Sequence, residues 1–423
     1  MDADFLLVGA SEVVTCAGPL PAAGADQSRA GVIEGGALAA REGRIVWVGP
    51  EAETDRIRLI EGGCRLDVGG RAVLPGLVDT HTHLIWAGQR ADEFERRLAG
   101  ASYGEILAAG GGILRTVEAT RAASLEELTA IALRQMDRLA RFGVTAMEIK
   151  SGYGLETDTE LRMLEAARQA ARQRPYAVTT TFLGAHTLPR EARGSAAAEE
   201  AYLKLVIDEM IPAVASRDLA RFVDVFIDEH AFSVEQARRV LDAARNHGLG
   251  IKVHAGQLAV DGGAALAAEM GAISADHLEH LAPEALEALA RAGTVGVLLP
   301  GATLFLRSHD YADGRRMIDR GMAVAVATDL NPGSCPSESL PLMMQLACLY
   351  CGLSVDEAIV AATANAAAAS GLDPITGSLE SGKRCDLLVL DSPSRRDLLY
   401  RLGAPPIWRV LAAGRQVPGP ATS

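Results

Sequence analysis

The apolar positions of this chain fall into two textures. From residue 1 to about 70, short runs such as DFLLVGASEVVT, GALAAREGRIVWVG and CRLDVGGRAVL are separated by Gly- and Pro-rich turns, with little helical periodicity. That is the pattern of short strands. The C-terminal stretches KRCDLLVLD and WRVLAAGRQV share it. Between them lie AVLPGLVDTHTH and seven further apolar runs: VTAMEIK, YAVTTTFLGAH, FVDVFIDE, GIKVHAG, SADHLEH, VGVLLPG and AVAVATD. Helical patterns separate these runs. Near-continuous apolar strands alternating with helices imply a parallel sheet covered on both faces.

Eight such units predict an α/β protein with a (β/α)8 TIM-like barrel over residues 71–374. Residues 1–70 and 375–423 are expected to combine into one small β-sandwich. An open doubly wound sheet is the alternative, but no glycine fingerprint follows the first run. Capping boxes are read at Ser124 with Glu127, Thr157 with Glu160 and Ser233 with Gln236. Gly143 and Gly248 sit where a helix would end before the next strand. The Gly110–Gly112 triplet reads as a helix-breaking turn or as a moving flap.

In such a barrel the chemistry sits at the C-terminal ends of the strands. Strand one ends in His81 and His83, strand two in Lys150 ahead of SGYG, strand three in His186 and strand four in Asp228 and Glu229. Strand five ends in His254, strand six carries His277, Glu279 and His280, and strand eight ends in Asp329 followed by Asn331. Six of the nine histidines thus lie at strand ends. One histidine on an apolar strand is more often a satisfied core or surface residue. Six together, with an aspartate, would be costly to bury without a shared task. His81 and His83 are two residues apart, so on a strand they face the same way. His81, His83, His254 and Asp329 make a three-nitrogen, one-oxygen set for zinc or iron, with one position left for water. His277 is placed to take a proton from that water. His230, His247 and His309 have no converging partners and read as ordinary surface or helix residues.

The chain has 423 residues, a formal net charge of −13 and a pI near 5.3. This balance argues against nucleic acid or an anionic membrane as partner. No signal peptide and no apolar run long enough to span a membrane is evident. A cytoplasmic enzyme is expected, with a homodimer as the default assembly. Six cysteines in so long a chain form no disulfide framework, and Cys348 and Cys351 read as small apolar helix residues.

The HxH motif, the histidines on strands five and six and the strand-eight aspartate resemble the amidohydrolase superfamily, which also carries a small β-sandwich built from both termini. Many of its members bridge two metals with a strand-four lysine. FIDEH contains none, so one metal is expected, with Glu229 as a possible bridge to a second. The segments HTHLIWAGQRADEFERRLAGASYGEILAAGGGILRTVEATR, EIKSGYGL, FLGAHTLP, GAISADHLEH, VLLPGATLFL and ATDLNPGS resemble the imidazolonepropionase family within it. That resemblance implies hydrolysis of 4-imidazolone-5-propanoate to N-formimidoyl-L-glutamate. It also implies metal ligation by His81, His83, His254 and Asp329, and substrate contacts from Arg90, Tyr153, His186, Asn331, Gly333 and Ser334.

Two positions depart from the family pattern. Gln257 stands where glutamate is frequent, and an amide can hydrogen-bond but cannot transfer a proton. Ser334 stands where threonine is common. Arg90, read from the sequence alone, is as easily a solvated arginine in RADEFERR as a clamp for a carboxylate. The resemblance favours the clamp. His277 or Asp329 would accept the water proton and return it to the leaving nitrogen. The rival readings are a related deaminase, disfavoured by Gln257, a lysine-bridged dinuclear hydrolase, and a barrel that has lost catalysis.

Overall fold

The computed structural model describes residues 1–100, 105, 111–228 and 231–417. Gly110, Glu229 and His230 lie outside the described residues. Eight parallel strands form one sheet in sequential order. Barrel strands one to eight are Leu77–Asp79, Val144–Lys150, Ala177–Ala185, Phe222–Val225, Gly250–Ala255, Ser274–His277, Val295–Leu298 and Val324–Val326. The seam between strands one and eight closes beyond their regular ends. Thr82 bridges Leu330 in parallel. The His83 N–H donates to the Leu330 carbonyl at 2.9 Å and the Asp329 N–H to the His81 carbonyl at 3.1 Å. The expected α/β barrel is therefore present, and the residues that seal it are the ones expected to bind metal.

One end of the barrel interior is filled by small side chains. Val78, Ala146, Ala177, Val297 and Ala325 form a buried cluster with the helix Ala364–Ala369. Alanines let that helix pack closely against the strands, leaving the chemistry to the opposite end.

The terminal segments build two further sheets. One is four-stranded, in the order Arg44–Pro50, Gly36–Arg41, Asp2–Val8, Arg58–Asp67. The other is six-stranded, in the order Arg415–Gln416, Ile407–Ala412, Leu387–Leu390, Val73–Pro75, Glu12–Val14, Val32–Glu34. Strand alternation joins this pair to the barrel. Leu387 and Val389 enter the core between the two sheets, with Leu7, Leu38 and Ile45. Leu388 and Leu390 point the other way, into the main core with Leu77 and Val144. Gly76 links Val73–Pro75 directly to barrel strand one. A Cβ there would lie 2.2 Å from Thr145 Oγ1, so only glycine fits.

Two of the three expected capping boxes form as read, at Ser124 with Glu127 and at Ser233 with Gln236. The third does not. The helix Thr157–Arg172 starts at N-cap Glu156 without a side-chain cap, and Thr157 Oγ1 donates instead to Glu209. Glu160 is turned away to serve a loop described below. Gly143 and Gly248 end their helices at positive φ, as expected. Gly112 is the N-cap of the helix Ile113–Ala122. Cys348 and Cys351 are free, at the end of the helix Leu340–Tyr350. No helix among the described residues is long and apolar enough to cross a membrane.

Leu388 is wholly buried and lies against Gly143. Replacing it with alanine removes the contact between the terminal sheet and the barrel, at a cost of about 2–5 kcal/mol. Leu388→Ala is expected to lower the thermal midpoint by several degrees. A midpoint equal to wild type would show that the terminal sheet does not brace the barrel.

Candidate active site

Five imidazoles crowd the C-terminal mouth of the barrel. The ring centroids of His81 lie 5.2 Å from His83, 4.5 Å from His254 and 5.8 Å from His277. His186 stacks on His83 at 5.1 Å with an interplanar angle of 16°. All of these rings except that of His186 are almost entirely buried. Asp329 Oδ1 lies 3.6 Å from Nε2 of both His81 and His83. Zinc binds such ligands at about 2.0–2.2 Å, which places neighbouring ligand atoms of a tetrahedral site roughly 3.4 Å apart. The spacing is too long for hydrogen bonds and right for an ion.

His81, His83 and His254 offer ligand atoms within 4.8 Å of one another, and so do His81, His277 and Asp329. His81 Nε2 is buried without a hydrogen-bond partner, a costly state unless something binds it. The residues present therefore fit a metal ion. Burial, reinforced by Lys150 and His254, holds the His81 pKa well below the ordinary imidazole value. Burial and the nearby His186 do the same for His83. Both rings are thus neutral, the form that ligates.

His277 behaves differently. Burial opposes its charge, but Glu279 and Asp329 outweigh that and raise its pKa. Its Nδ1 lies 3.6 Å from Glu279 Oε1, and Glu279 also accepts from Thr303 Oγ1 at 3.2 Å. Burial raises the Asp329 pKa as well. A histidine and a carboxyl that both hold their protons more tightly than usual, near one point, are suited to passing a proton. His280 only donates its backbone N–H to the Gly256 carbonyl at 2.8 Å.

Beneath the histidines is a layer of wholly buried charge. Lys150 Nζ lies 2.7 Å from Asp224 Oδ2, 3.0 Å from Glu148 and 3.6 Å from Asp276 Oδ2. Lys252 Nζ lies 2.9 Å from Glu148 and donates to the Thr80 carbonyl at 3.1 Å. The upper edge of the layer touches the imidazoles. Asp276 Oδ2 meets His81 Nδ1 at 2.6 Å. Asp224 Oδ2 lies 2.9 Å from His254 Nδ1, at close ion-pair range but off the ideal hydrogen-bond direction.

The remaining expected residues ring this centre. Tyr153 is buried, its ring 5.9 Å from His83 and 5.4 Å from His186. Burial and Asp329 push its pKa up, so the phenol stays a donor. His186 Nδ1 hydrogen-bonds the Gly152 carbonyl at 3.0 Å, which leaves Nε2 free. Arg90 Nε donates to Glu93 Oε2 at 2.8 Å. A Cβ on Gly333 would come within 2.6 Å of Arg90 Nη1, so this glycine admits the guanidinium. Asn331 spends its side-chain amide on its own loop. Nδ2 donates to the Asp329 carbonyl and Ser334 Oγ, while Oδ1 accepts from the Gly333 and Ser334 N–H groups. Ser334 Oγ reaches Asp329 Oδ2 at 3.3 Å. Gln257 is half-buried just beyond strand five.

Three residues of this site were not picked out from the sequence. Glu93 looks like one more charge in RADEFERR but is buried, binding both Arg90 and the Gly112 N–H. Glu160 accepts from the N–H groups of Gly152, Gly154 and Leu155 at 2.7–2.9 Å, fixing the loop that carries Tyr153. Arg97 lies over the Phe305 ring at 5.0 Å and lines, with Arg90, an adjacent cleft of about 1100 Å³. The imidazoles stand outside that cleft. The helical period of residues 90–98 was the available signal for Glu93 and Arg97, since both are three- or four-residue neighbours of Arg90 or Glu93.

Residues 72–417 match the amidohydrolase family. The chain belongs to that family. Among curated relatives, an imidazolonepropionase from Symbiobacterium thermophilum is 51% identical over 418 residues, covering 98% of this chain and 97% of the relative. One from Chloroflexus aggregans is 46% identical over 424 residues, covering 98% of each. Identity of this degree over the whole length places the chain within the imidazolonepropionase family. The fold is shared more widely. A zinc-bound adenosine deaminase from Xanthomonas campestris superposes with a TM-score of 0.73 at 19% identity, over 98% of this chain and 93% of that one. E. coli guanine deaminase gives 0.72 at 16% identity, over 97% and 98%.

Two outcomes follow from this geometry. Gly152 has φ +112°, and a Cβ there would lie 3.0 Å from both His186 Nδ1 and the Leu183 carbonyl. Gly152→Ala is expected to cost about 1–3 kcal/mol, read as a lower urea midpoint. An unchanged midpoint would mean the loop can relax. The second outcome concerns pH. Burial lowers the His186 pKa from 6.5 to about 4. Between those values the unfolded chain binds a proton that the folded chain refuses. Stability present above pH 6.5 is therefore lost as pH falls toward 4, by about 3 kcal/mol from this residue. His81 and His83 act in the same direction. Urea melts of metal-free protein at pH 7 and pH 4.5 check the sign.

Proposed function

We propose that this chain hydrolyses 4-imidazolone-5-propanoate to N-formimidoyl-L-glutamate, using one divalent ion held by His81, His83, His254 and Asp329. The observation that carries the reading is the convergence of these four buried donors at the mouth where Arg90 is held in place. A three-nitrogen, one-oxygen set suits zinc or iron(II). When bound, such an ion supplies Lewis-acid polarisation of the ring carbonyl and acidifies water.

The chain's own residues do the rest. Arg90, its Nε fixed by Glu93, presents the other side of its guanidinium to the propanoate, a planar fork meeting a carboxylate. Gly333 keeps that fork in reach. Tyr153 donates from its phenol, and His186, with Nδ1 committed to Gly152, offers Nε2 to the substrate. Asn331 holds the loop whose Gly333 and Ser334 line the site. Gln257 hydrogen-bonds the ring without moving protons.

The reaction adds water across the ring amide. The carbonyl carbon gains the hydroxyl oxygen, its bond to the ring nitrogen breaks, and that nitrogen must gain a proton. We assign the proton to the His277–Asp329 pair, whose pKa values are both raised and whose side chains share one point. Glu279 holds the His277 ring in register for this.

The test is turnover of freshly generated 4-imidazolone-5-propanoate, followed by its loss of ultraviolet absorbance. Wild type is expected to act only with metal present and to lose activity after chelation. Arg90→Ala is expected to lower kcat/KM by roughly 30- to 100-fold, chiefly through KM, because a charged hydrogen-bonded contact worth about 2–3 kcal/mol is lost. No turnover by fully metallated wild type would overturn the substrate and leave the barrel and its metal set standing.

A further inference from the structure

The buried layer below the imidazoles lies outside the reaction as described, yet it touches two of the four metal-binding side chains. Lys150 is its centre. The lysine ends strand two and points inward, as do Glu148 two residues before it and the strand-five pair Lys252 and His254. Its ammonium has no access to water. It is 2.7 Å from Asp224 Oδ2 and 3.6 Å from Asp276 Oδ2. Those same two oxygens face the inner nitrogens of His254, at 2.9 Å, and His81, at 2.6 Å. One cation therefore bridges the carboxylates behind a ligand from strand five and a ligand from strand one.

We propose that Lys150 is a positioning residue for the metal centre. By clamping Asp224 and Asp276 from below, it sets the His254 and His81 rings with their outer nitrogens directed at the ion. An imidazole rotates about two side-chain bonds and exists as two tautomers. A carboxylate fixed behind Nδ1 selects the Nδ1–H tautomer and leaves Nε2 as the ligand atom. The orphaned Nε2 of His81 faces the other ligands, as this arrangement requires. Without the ammonium, two carboxylates would stand buried and mutually repulsive behind the ligands, and the rings would lose their fixed direction. The role lies in how the side chains are held, and no proton moves through the lysine.

This inference rests on the metal-site reading above, so its test must separate the two. Cobalt(II) is the probe, since its visible d–d bands report ligand geometry and its affinity can be measured by competition with a chelator. Wild type, Lys150→Met and Asp276→Asn are compared, with circular dichroism as the check on folding. Lys150→Met keeps an unbranched side chain, one atom shorter, and removes the charge. It is expected to bind cobalt 10- to 100-fold more weakly, with shifted bands. Asp276→Asn is expected to weaken binding and shift the bands in the same way, since it breaks the next link of the same chain. A folded Lys150→Met with wild-type bands and affinity within about twofold overturns the inference. Should that variant fail to fold, Asp276→Asn decides: weaker binding with altered bands supports the chain of contacts, and wild-type behaviour overturns it. Wild type that takes up no cobalt would overturn the metal reading itself, and the inference with it.

Discussion

Everything at the mouth of this barrel depends on how it buries charge. Glu148, Lys150, Asp224, Lys252 and Asp276 are wholly excluded from water. An isolated ion in such a place costs several kcal/mol even after relaxation. The five survive because each has an opposite neighbour within about 3–4 Å. Such pairs seldom stabilise a protein more than apolar packing would, so their presence calls for a reason beyond stability. Charge balance supplies one. Three carboxylates face two ammonium groups, which leaves one negative charge in excess, and Asp329 adds another above. The neutral imidazoles of His81 and His83 contribute none. The excess of carboxylates favours a cation at this end of the barrel, and the other end, of alanines and valines, offers the charges no partner.

The same constraint explains the strained backbone around the site. His277, Leu278 and Asp329 have φ values of +84°, +65° and +53°. A non-glycine residue in this region costs about 1–3 kcal/mol unless the surroundings impose it. Here they do. The Leu278 N–H is bound to the Ala255 carbonyl and the Asp329 N–H to the His81 carbonyl. A regular strand would carry His277 and Asp329 on past the mouth. With φ reversed, both side chains lie beside the His81 ring.

Much of this was legible in the chain, because both periods involved are short. The HxH spacing, the histidines at the ends of apolar runs and the Ser-x-x-Glu cap at Ser124 are local patterns; His81, His83, His186, His254 and His277 come together at the mouth, and Ser124 caps its helix. What escaped was the partner a side chain chose when two were in range. Thr157 and Glu160 have capping-box spacing, but the SGYG loop presents three bare N–H groups, and a carboxylate gains more from three donors than from one. Glu93 sits among exposed charges in the sequence, and only the fold shows that it lies between Arg90 and Gly112. Lys150 was visible as a strand end. Its task depends on Asp224 and Asp276, which lie 74 and 126 residues further along.

Glu93, Glu160 and Asn331 also divide the labour of the site. Each anchors one loop through several hydrogen bonds: Glu93 the Arg90 segment, Glu160 the Tyr153 segment, Asn331 the segment of Gly333 and Ser334. The imidazoles are anchored from the other side, by the barrel and its buried ions. The loops and the imidazoles therefore rest on separate supports, which meet where Asn331 and Ser334 reach Asp329. Deaminases at 16–19% identity share the barrel, while the relatives near 50% share a name. A loop held by one local hub can be exchanged without disturbing the charge layer. The layer itself spans strands two, four, five and six, so changing one member unbalances the others. That asymmetry lets one barrel carry many recognition surfaces.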